Sequence, residues 1–240
     1  AQFIARYHEM DQDRKMRVQC LCNYLEEAAG YHADKLGLGL EKLAGEGLAW
    51  VLAKMKLQID RRPAPGEPFW VNTWPVSIER LQFRRDFEVL DDAGQPIAKA
   101  VTQWVVMNLS KRRLERFPTY IASLQPNAPP LAIENADIRI PALDETAKAG
   151  PSFPVRLADI DQNQHVNNGR YVDFSLEAAH LAGMRGELKE IDLIFRAEGK
   201  RGDVICSRSE KASANSQTSL HSLYREDDGQ ELARARTVWG

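Results

Sequence analysis

The sequence predicts an α+β protein made of two tandem units, each with one long helix and several antiparallel strands. Three observations lead to this prediction. Each half of the chain has one long segment with helical apolar spacing, each has strand segments separated by turn residues, and matching motifs recur in the same order in both halves. We therefore expect each unit to be a curved antiparallel sheet that wraps around a central helix.

The first half opens with a short strand predicted over residues 2–8 and a polar loop from Glu9 to Lys15. The helix is predicted over residues 17–36, where apolar side chains recur every three or four positions and Gly37 follows as a stop signal. Further strands alternate with turns, and Asp91-Asp-Ala-Gly94 has the composition of a hairpin turn. These strands are predicted over residues 48–60, 68–76, 80–90 and 95–109.

Residues 110–150 are predicted to connect the two units, because prolines interrupt the segment and its apolar residues follow no sustained period. A structureless connector of this length is unusual inside one compact domain. The predicted organisation is a first domain over residues 1–118, a linker over 119–150 and a second domain over 151–240.

The second half repeats the first at several separated points. With a shift of 150 positions, Arg6 aligns with Arg156, Asp11-Gln12 with Asp161-Gln162, and Glu27-Ala-Ala with Glu177-Ala-Ala. With a shift of 135 positions, Gly94-Gln95 aligns with Gly229-Gln230 and Trp104 with Trp239. Matches in one consistent order indicate a duplicated unit. The second helix is predicted over residues 168–182, with Asn167 or Asn168 as its N-cap.

The composition argues against several classes of protein. The chain has 32 Lys and Arg against 34 Asp and Glu, a net charge of −2 that gives no general case for nucleic-acid binding. Its three cysteines are an odd number, which argues against a disulfide framework and for a reducing compartment. No apolar run approaches the roughly 18 residues of a membrane span, and the first residues lack signal character. A soluble cytoplasmic protein is expected.

The residues suited to chemistry lie in the polar loop before the second helix. Asp161, Asn163 and His165 alternate there, and free backbone N–H groups at a helix N-terminus can stabilise developing negative charge. The first half has Asp13 and Lys15 at the positions of Asn163 and His165. An Asp- and Asn-rich loop before a helix is, taken alone, most often a capping loop. The asymmetry between the repeats favours one active half and one that has diverged.

Other common catalytic and metal-binding motifs are missing from the sequence. There is no Gly-rich phosphate loop, Gly-x-Ser-x-Gly elbow or His-Glu-x-x-His motif. The remaining histidines have no metal-like spacing, so we expect neither a metal ion nor a cofactor.

The stretch from Asp159 to Asn168, followed by an aromatic residue and a helix, closely resembles the motif of the acyl-ACP thioesterases of bacteria and plant plastids. The similarity covers nearly the whole chain, including Tyr7 to Asp11, Gly47-Leu-Ala-Trp50-Val, Phe83-Arg-Arg-Asp86-Phe-Glu and Leu193-Ile-Phe-Arg196-Ala-Glu198. It implies two tandem hotdog domains, which agrees with the internal repeat. Since the chain has no segment like a plant transit peptide, a bacterial-type member is expected.

By this resemblance, Asp161, Asn163, His165 and Glu198 match the catalytic positions of the family, and the implied reaction releases free fatty acid from acyl-ACP. Glu198 or Asp161 would activate water, while His165 would orient it or protonate the leaving group. Asn163 would hold either the water or the thioester oxygen, and backbone N–H groups at the start of the second helix would stabilise charge on that oxygen. Asp161 is equally suited to a structural role in the loop.

One position departs from the family pattern. Many plant members have Cys directly after the acidic residue, where this chain has Gly199. That departure argues against a cysteine nucleophile in this protein.

The resemblance also suggests where the substrate binds. The acyl chain is expected in the N-terminal unit, among Trp50, Leu52, Met55 and Leu57. The basic run that contains Arg112 and Arg113 is a candidate docking surface for the acidic acyl carrier protein, with Arg61-Arg62 and Lys200-Arg201 as alternatives and a solvated turn as the simpler interpretation. A homodimer is a further expectation.

Three other functions stay open at this point. A hotdog thioesterase could act on acyl-CoA, a hotdog hydratase or dehydratase uses a similar set of Asp and His residues, and an inactive module could bind acyl groups without turnover. The whole-chain pattern favours the acyl-ACP thioesterase, although fold alone decides none of these.

Overall fold

The computed structural model describes residues 1–124, 130–143, 146–213 and 216–240, and these form two compact units. The first unit comprises residues 1–55 and 60–136, and the second comprises residues 56–59 and 137–240. The predicted linker over 119–150 thus contributes residues to both units.

The helices and strands follow the predicted order. The helices are α1 (Val18–Lys35), α2 (Leu40–Gly45), α3 (Thr119–Ala122) and α4 (Asn168–Leu181). The strands of the first half are β1 (Gln2–Ile4), β2 (Leu48–Ile59), β3 (Pro68–Glu79), β4 (Gln82–Leu90), β5 (Pro96–Asn108) and β6 (Arg113–Glu115). Those of the second half are β7 (Lys148–Pro154), β8 (Leu188–Phe195), β9 (Val204–Lys211), β10 (Thr218–Arg225) and β11 (Glu231–Trp239).

The two units share one strand topology, which confirms the internal repeat. In the first unit the strand order is β2-β5-β4-β3-β1, and in the second it is β8-β11-β10-β9-β7. Numbered within its own unit, each sheet therefore has the order 2-5-4-3-1. The strand pairs β1–β3, β3–β4, β4–β5, β7–β9, β9–β10, β10–β11 and β8–β11 are all antiparallel.

Each unit packs one long helix on its sheet. The buried face of α1 carries Leu21, Leu25 and Ala28, at the spacing that brings side chains to one side of a helix. In the second unit Tyr171 and Ala178 lie on the buried face of α4, which contacts β7, β9, β10 and β11. Burying these apolar faces is the main favourable contribution to folding of each unit.

The sequence predicted no regular element in residues 110–150, but the described part of this segment contains the short elements β6 and α3 and the first three residues of β7. β6 pairs with β5, and α3 buries Ile121 in a cluster with Phe117 and other apolar residues of the first unit. Both elements have four residues or fewer, too few to show a period in the sequence.

The segment after these elements is fixed by polar contacts. Asp86 Oδ2 accepts the backbone N–H of Ala132 at 2.9 Å, and Arg84 Nη2 donates to the carbonyl oxygen of Ile133 at 3.0 Å. Within the second unit, Arg234 Nη1 donates to the carbonyl oxygen of Ile140 at 3.3 Å. The connector is therefore an ordered part of both units where the structure describes it.

None of the helices in the described ranges is both long and apolar enough to cross a membrane.

Candidate active site

The polar loop of the second unit is closed by the side chain of Asp161. Its Oδ1 accepts the backbone N–H groups of Asn163 and His165 at 2.8 and 3.2 Å. Gln164 lies in the left-handed region with a φ of 64°, and its backbone N–H donates to the carbonyl oxygen of Asp161 at 3.0 Å. An aspartate that accepts from nearby backbone N–H groups stabilises a tight turn. The turn ends at His165.

The structure brings His165 and Glu198 together. His165 Nε2 lies 3.1 Å from Glu198 Oε2, and the two side chains are 28% and 29% exposed. Glu198 follows the end of β8, so this contact joins a strand end to the loop before α4. A carboxylate within hydrogen-bond distance of an imidazole is an arrangement suited to general acid–base catalysis.

Arg225 of β10 fixes the backbone at Glu198. Its Nη2 donates to the carbonyl oxygen of Glu198 at 2.9 Å, and its Nε donates to Asp203 Oδ2 at 3.0 Å. Asp203 Oδ2 also accepts the backbone N–H of Lys200 at 2.8 Å. One guanidinium therefore holds both ends of the loop between β8 and β9. Sequence reasoning missed this residue, which is 27 positions from Glu198.

Asp159 connects the entry of the loop to the first turn of α4. Its Oδ2 accepts the backbone N–H of Arg156 at 2.9 Å, and its Oδ1 lies 2.8 Å from Arg170 Nε. Burial tends to raise the pKa of Asp159, but the hydrogen bonds from Arg156 and the charge of Arg170 lower the pKa below its ordinary value. Asp159 is thus ionised at neutral pH and paired with arginines.

The hydrogen bonds of Asp161 favour its structural role. Its Oδ1 already accepts two backbone N–H groups, and its Oδ2 faces Asn163 Nδ2 at 3.4 Å. Asp11 makes the same contacts in the first unit, where its Oδ1 accepts the backbone N–H groups of Asp13 and Lys15 at 2.9 and 3.0 Å. An aspartate that has this task in both units is less available as a base than Glu198.

Asn167, one of the two N-caps that the sequence allowed, is the N-cap of α4. Its Oδ1 accepts the backbone N–H of Gly169 at 2.9 Å, and its carbonyl oxygen accepts the backbone N–H of Arg170 at 2.9 Å. Two N–H groups of the first helical turn are therefore already bonded to Asn167. The exposed side-chain amide of Asn163 is the other predicted donor for a thioester oxygen.

The first unit has the same backbone at this place with a different set of side chains. Met16 N–H donates to the carbonyl oxygen of Pro63 at 2.9 Å, as Val166 N–H donates to that of Gly199 at 2.9 Å. By this correspondence Arg62 occupies the position of Glu198. Arg62 Nη1 lies 2.6 Å from Asp11 Oδ2. With Lys15 and Arg62 in place of the histidine and glutamate, the first unit lacks the acid–base pair.

Gly199 has no room for a side chain. A Cβ atom there would lie 2.8 Å from the Tyr171 hydroxyl oxygen and 3.0 Å from Val166 Cγ2. The Tyr171 hydroxyl instead accepts the backbone N–H of Gly199 at 3.0 Å. Burial is the main influence on Tyr171 and raises its pKa to about 12. The space that a side chain at position 199 would need is thus filled by the Tyr171 hydroxyl.

The predicted acyl-chain residues are mostly core residues. Leu52, Met55 and Leu57 are buried. Trp50 packs edge-on against Phe83, and its indole N–H donates to the carbonyl oxygen of Leu38 at 2.9 Å. Their role in acyl binding stays a prediction.

A cavity of about 750 Å³ opens in the first unit between α1 and β3. Its described lining includes Ala28, Tyr31, His32, Val71 and Trp74, and none of the four predicted acyl-chain residues is among the described residues that line it.

The predicted docking residues lie at the start of β6. Arg112 and Arg113 are exposed, as are Lys111 and Arg116 on either side. Leu114, which lies between Arg113 and Arg116 in the chain, is 49% exposed. The surface thus combines positive charge with an accessible apolar side chain.

The cysteines and potential metal ligands show no further site in the described residues. Cys20, Cys22 and Cys206 are buried and are not joined in disulfides. Within the described ranges, no group of three or more His, Cys, Asp or Glu side chains is placed to bind a metal ion.

Two family models match the chain. The model for the acyl-ACP thioesterase N-terminal domain matches residues 1–124, and the model for the acyl-ACP thioesterase C-terminal domain matches residues 144–240. Together they cover most of both structural units.

Curated proteins from plants are similar over almost the whole chain. A chloroplastic palmitoyl-acyl carrier protein thioesterase of Gossypium hirsutum is 30% identical over 99% of this chain and 62% of its own length. The chloroplastic oleoyl-acyl carrier protein thioesterase 1 of Arabidopsis thaliana is 30% identical over 99% of this chain and 74% of its own length. The chain thus spans about three fifths of the length of the palmitoyl-type relatives, 61% to 62%.

Solved structures confirm the predicted tandem hotdog fold. An acyl-ACP thioesterase from Bacteroides thetaiotaomicron has a TM-score of 0.85 at 25% identity, covering 99% of this chain and 96% of that one. The 12:0-ACP thioesterase from Umbellularia californica has the same score and identity, covering 100% of this chain and 96% of that one.

Proposed function

This chain belongs to the acyl-ACP thioesterase family, and on that premise we propose that it hydrolyses acyl-acyl carrier protein to free fatty acid. Water adds to the thioester carbonyl carbon, the C–S bond breaks, and the carrier thiol and a fatty acid are the products. The observation that supports this proposal most is the 3.1 Å contact between His165 Nε2 and Glu198 Oε2, in the unit that keeps the family motif.

Each site residue has a proposed role that follows from its contacts. Glu198 and His165 act as the acid–base pair that takes a proton from water and returns one to the departing thiolate. Asn163 donates from its side-chain amide to the thioester oxygen as negative charge develops there. Asp161 holds the loop so that Asn163 and His165 keep their places, which agrees with its two backbone hydrogen bonds.

The test is thiol release from a panel of acyl-ACPs and matched acyl-CoAs by wild type, His165→Ala and Glu198→Ala. Removing one member of an acid–base pair is expected to lower kcat by about 10²- to 10⁴-fold. Lys15→Ala is the matched control, because Lys15 occupies the position of His165 in the first unit, and we expect its kcat to stay within twofold of wild type.

Three outcomes separate the alternatives. Acyl-ACP turnover well above acyl-CoA turnover, lost in both variants, supports the proposal. Equal or faster acyl-CoA turnover would assign the chain to acyl-CoA as substrate. No turnover of either substrate by the wild type would contradict the proposed hydrolysis.

We propose that the acidic carrier protein docks on the basic surface at the start of β6. The exposed Arg112 and Arg113 supply positive charge and Leu114 supplies an apolar contact. The double variant Arg112→Glu/Arg113→Glu should raise KM for acyl-ACP without changing KM for acyl-CoA. The parallel variant Lys200→Glu/Arg201→Glu tests the alternative surface, and a rise in KM for that variant alone would relocate the docking site.

We propose that the acyl chain binds in the first unit, and chain-length profiles can locate it. If Met55 contacts the chain, Met55→Ala should shift the preferred acyl length upwards by creating space. If the cavity beside α1 holds the chain instead, Ala28→Leu should shift the preference towards shorter chains, because Ala28 lines that cavity.

A homodimer and a cytoplasmic location complete the proposal. Sedimentation equilibrium of the purified chain tests the first, and fractionation of the source cells tests the second.

A further inference from the structure

The peptide group between Glu198 and Gly199 is held by side chains from two other elements of the second unit. On its N–H side, the Tyr171 hydroxyl oxygen accepts the Gly199 N–H at 3.0 Å. On its carbonyl side, Arg225 Nη2 donates to the Glu198 oxygen at 2.9 Å. The next carbonyl, that of Gly199, accepts Val166 N–H at 2.9 Å, directly beside His165 in the chain. The backbone that carries Glu198 is thus fixed at three consecutive groups.

Of the groups that hold this backbone, the Tyr171 hydroxyl is the hardest to replace. It is 2% exposed, and its ring packs edge-on against Phe195 of β8 with centroids 5.8 Å apart. The hydroxyl therefore has a fixed place between α4 and the end of β8. The Gly199 N–H is buried with it, so loss of the hydroxyl would leave a buried donor without its acceptor.

Gly199 is matched to this hydroxyl. The Cβ atom of any other residue would lie 2.8 Å from the Tyr171 oxygen, shorter than a van der Waals contact. A side chain at 199 would have to displace the hydroxyl or the peptide group itself. Tyrosine at 171 and glycine at 199 are therefore mutually dependent in this chain.

We propose that Tyr171 is a positioning residue for Glu198, acting through the Gly199 peptide group to hold the carboxylate at His165. This inference rests on the proposed thioester hydrolysis. Reaction rates are sensitive to displacements of about 1 Å in catalytic groups. The hydrogen bond between Tyr171 and Gly199 therefore governs kcat and leaves substrate affinity unchanged.

The test compares Tyr171→Phe with wild type in acyl-ACP hydrolysis and in amide hydrogen exchange. We expect kcat to fall about 10- to 100-fold with KM within twofold, and the Gly199 amide to exchange at least tenfold faster. Tyr24→Phe is the matched control, because the Tyr24 hydroxyl donates to Glu9 at 2.8 Å in a buried hydrogen bond of the first unit. Its kcat should stay within twofold of wild type.

Two further variants show whether Tyr171 acts through Glu198. In a Glu198→Asp background, the carboxylate is already displaced, so adding Tyr171→Phe should lower kcat less than it does in wild type. Gly199→Ala perturbs the same contact through residue 199 and should also lower kcat. Adding Tyr171→Phe to Gly199→Ala should partly restore kcat, because it removes the oxygen that clashes with the new methyl group. The alanine variant also keeps the inference testable if Tyr171→Phe does not fold.

The outcomes distinguish this inference from the proposed function. Wild-type hydrolysis together with an unchanged kcat in Tyr171→Phe would overturn the inference alone, as would an equal fall in kcat in both the wild-type and Glu198→Asp backgrounds. A wild type that hydrolyses no thioester would overturn the proposed function and this inference together.

Discussion

His221 makes the stability of the second unit depend on pH. Its side chain is 1% exposed, its Nδ1 lies 2.9 Å from Ser209 Oγ, and its Nε2 lies 3.0 Å from Thr237 Oγ1. Burial lowers the pKa of His221 from 6.5 to about 3. The neutral imidazole therefore satisfies both hydroxyls, and the charged form is strongly disfavoured in the folded protein.

The sign and size of the effect follow from proton binding. Below pH 6.5 the unfolded chain takes up a proton at His221 that the folded chain does not, so stability is full above that pH and is lost as pH falls. Each pH unit in this range removes about 1.4 kcal/mol. Lowering the pH from 7 to 5 should therefore lower the free energy of unfolding by about 2 kcal/mol through His221 alone.

The assay is urea unfolding of wild type and His221→Gln at pH 7, 6 and 5, followed by circular dichroism. Glutamine keeps hydrogen-bonding groups at the site and does not titrate. The variant should show a fall in unfolding free energy between pH 7 and 5 that is smaller than the wild-type fall by about 2 kcal/mol. Equal pH slopes for the two proteins would refute the reasoning, whatever their absolute stabilities.

Three further predictions concern other contacts. Asp11→Ala and Asp161→Ala should each lower the free energy of unfolding by about 1 kcal/mol. Only Asp161→Ala should also reduce thiol release, and an equal loss of activity in the two variants would contradict a single active unit. Arg84→Ala should cost about 3–5 kcal/mol in urea unfolding, because Asp86 is 0% exposed and would lose its guanidinium partner. Its control, Arg139→Ala, removes an ion pair with an 86% exposed arginine and should cost under about 1 kcal/mol. Asn167→Ala should lower the free energy of unfolding by about 1 kcal/mol through loss of the α4 cap, and Asn167→Asp should retain most of that stability. Equal thermal unfolding temperatures of the two variants would count against the capping role.

The predicted helices and strands were close to those of the structure, because their signals are local. The first helix was predicted over residues 17–36 and runs over Val18–Lys35, and the hairpin at Asp91 to Gly94 joins β4 to β5. Predicted residues 2–8 form a shorter strand, Gln2–Ile4, followed by a 3-10 turn at Tyr7–Glu9. Short elements give few residues over which a period can be recognised.

The site was predicted in part for the same reason. The loop from Asp161 to His165 is a local turn, so its residues indicate its shape directly. Tyr171 lies on the buried face of the helix that the sequence predicted over residues 168–182. The partner of its hydroxyl lies 28 positions further along, so helical spacing gave no signal for it.

The amino-acid sequence alone indicates a duplicated α+β unit and shows that the Asp-Asn-His loop is present only in the second copy. Periodicity, turn chemistry and a repeated order of motifs are properties of neighbouring residues, so they can be recognised without coordinates. The folded chain was needed to see that Glu198 contacts His165 and that Arg62 takes the corresponding place in the first unit. It was also needed to see that Tyr171 and Arg225 hold the Glu198 backbone. Those contacts join elements that are distant in the chain, and they depend on where strand ends and helix starts meet when each sheet packs on its helix.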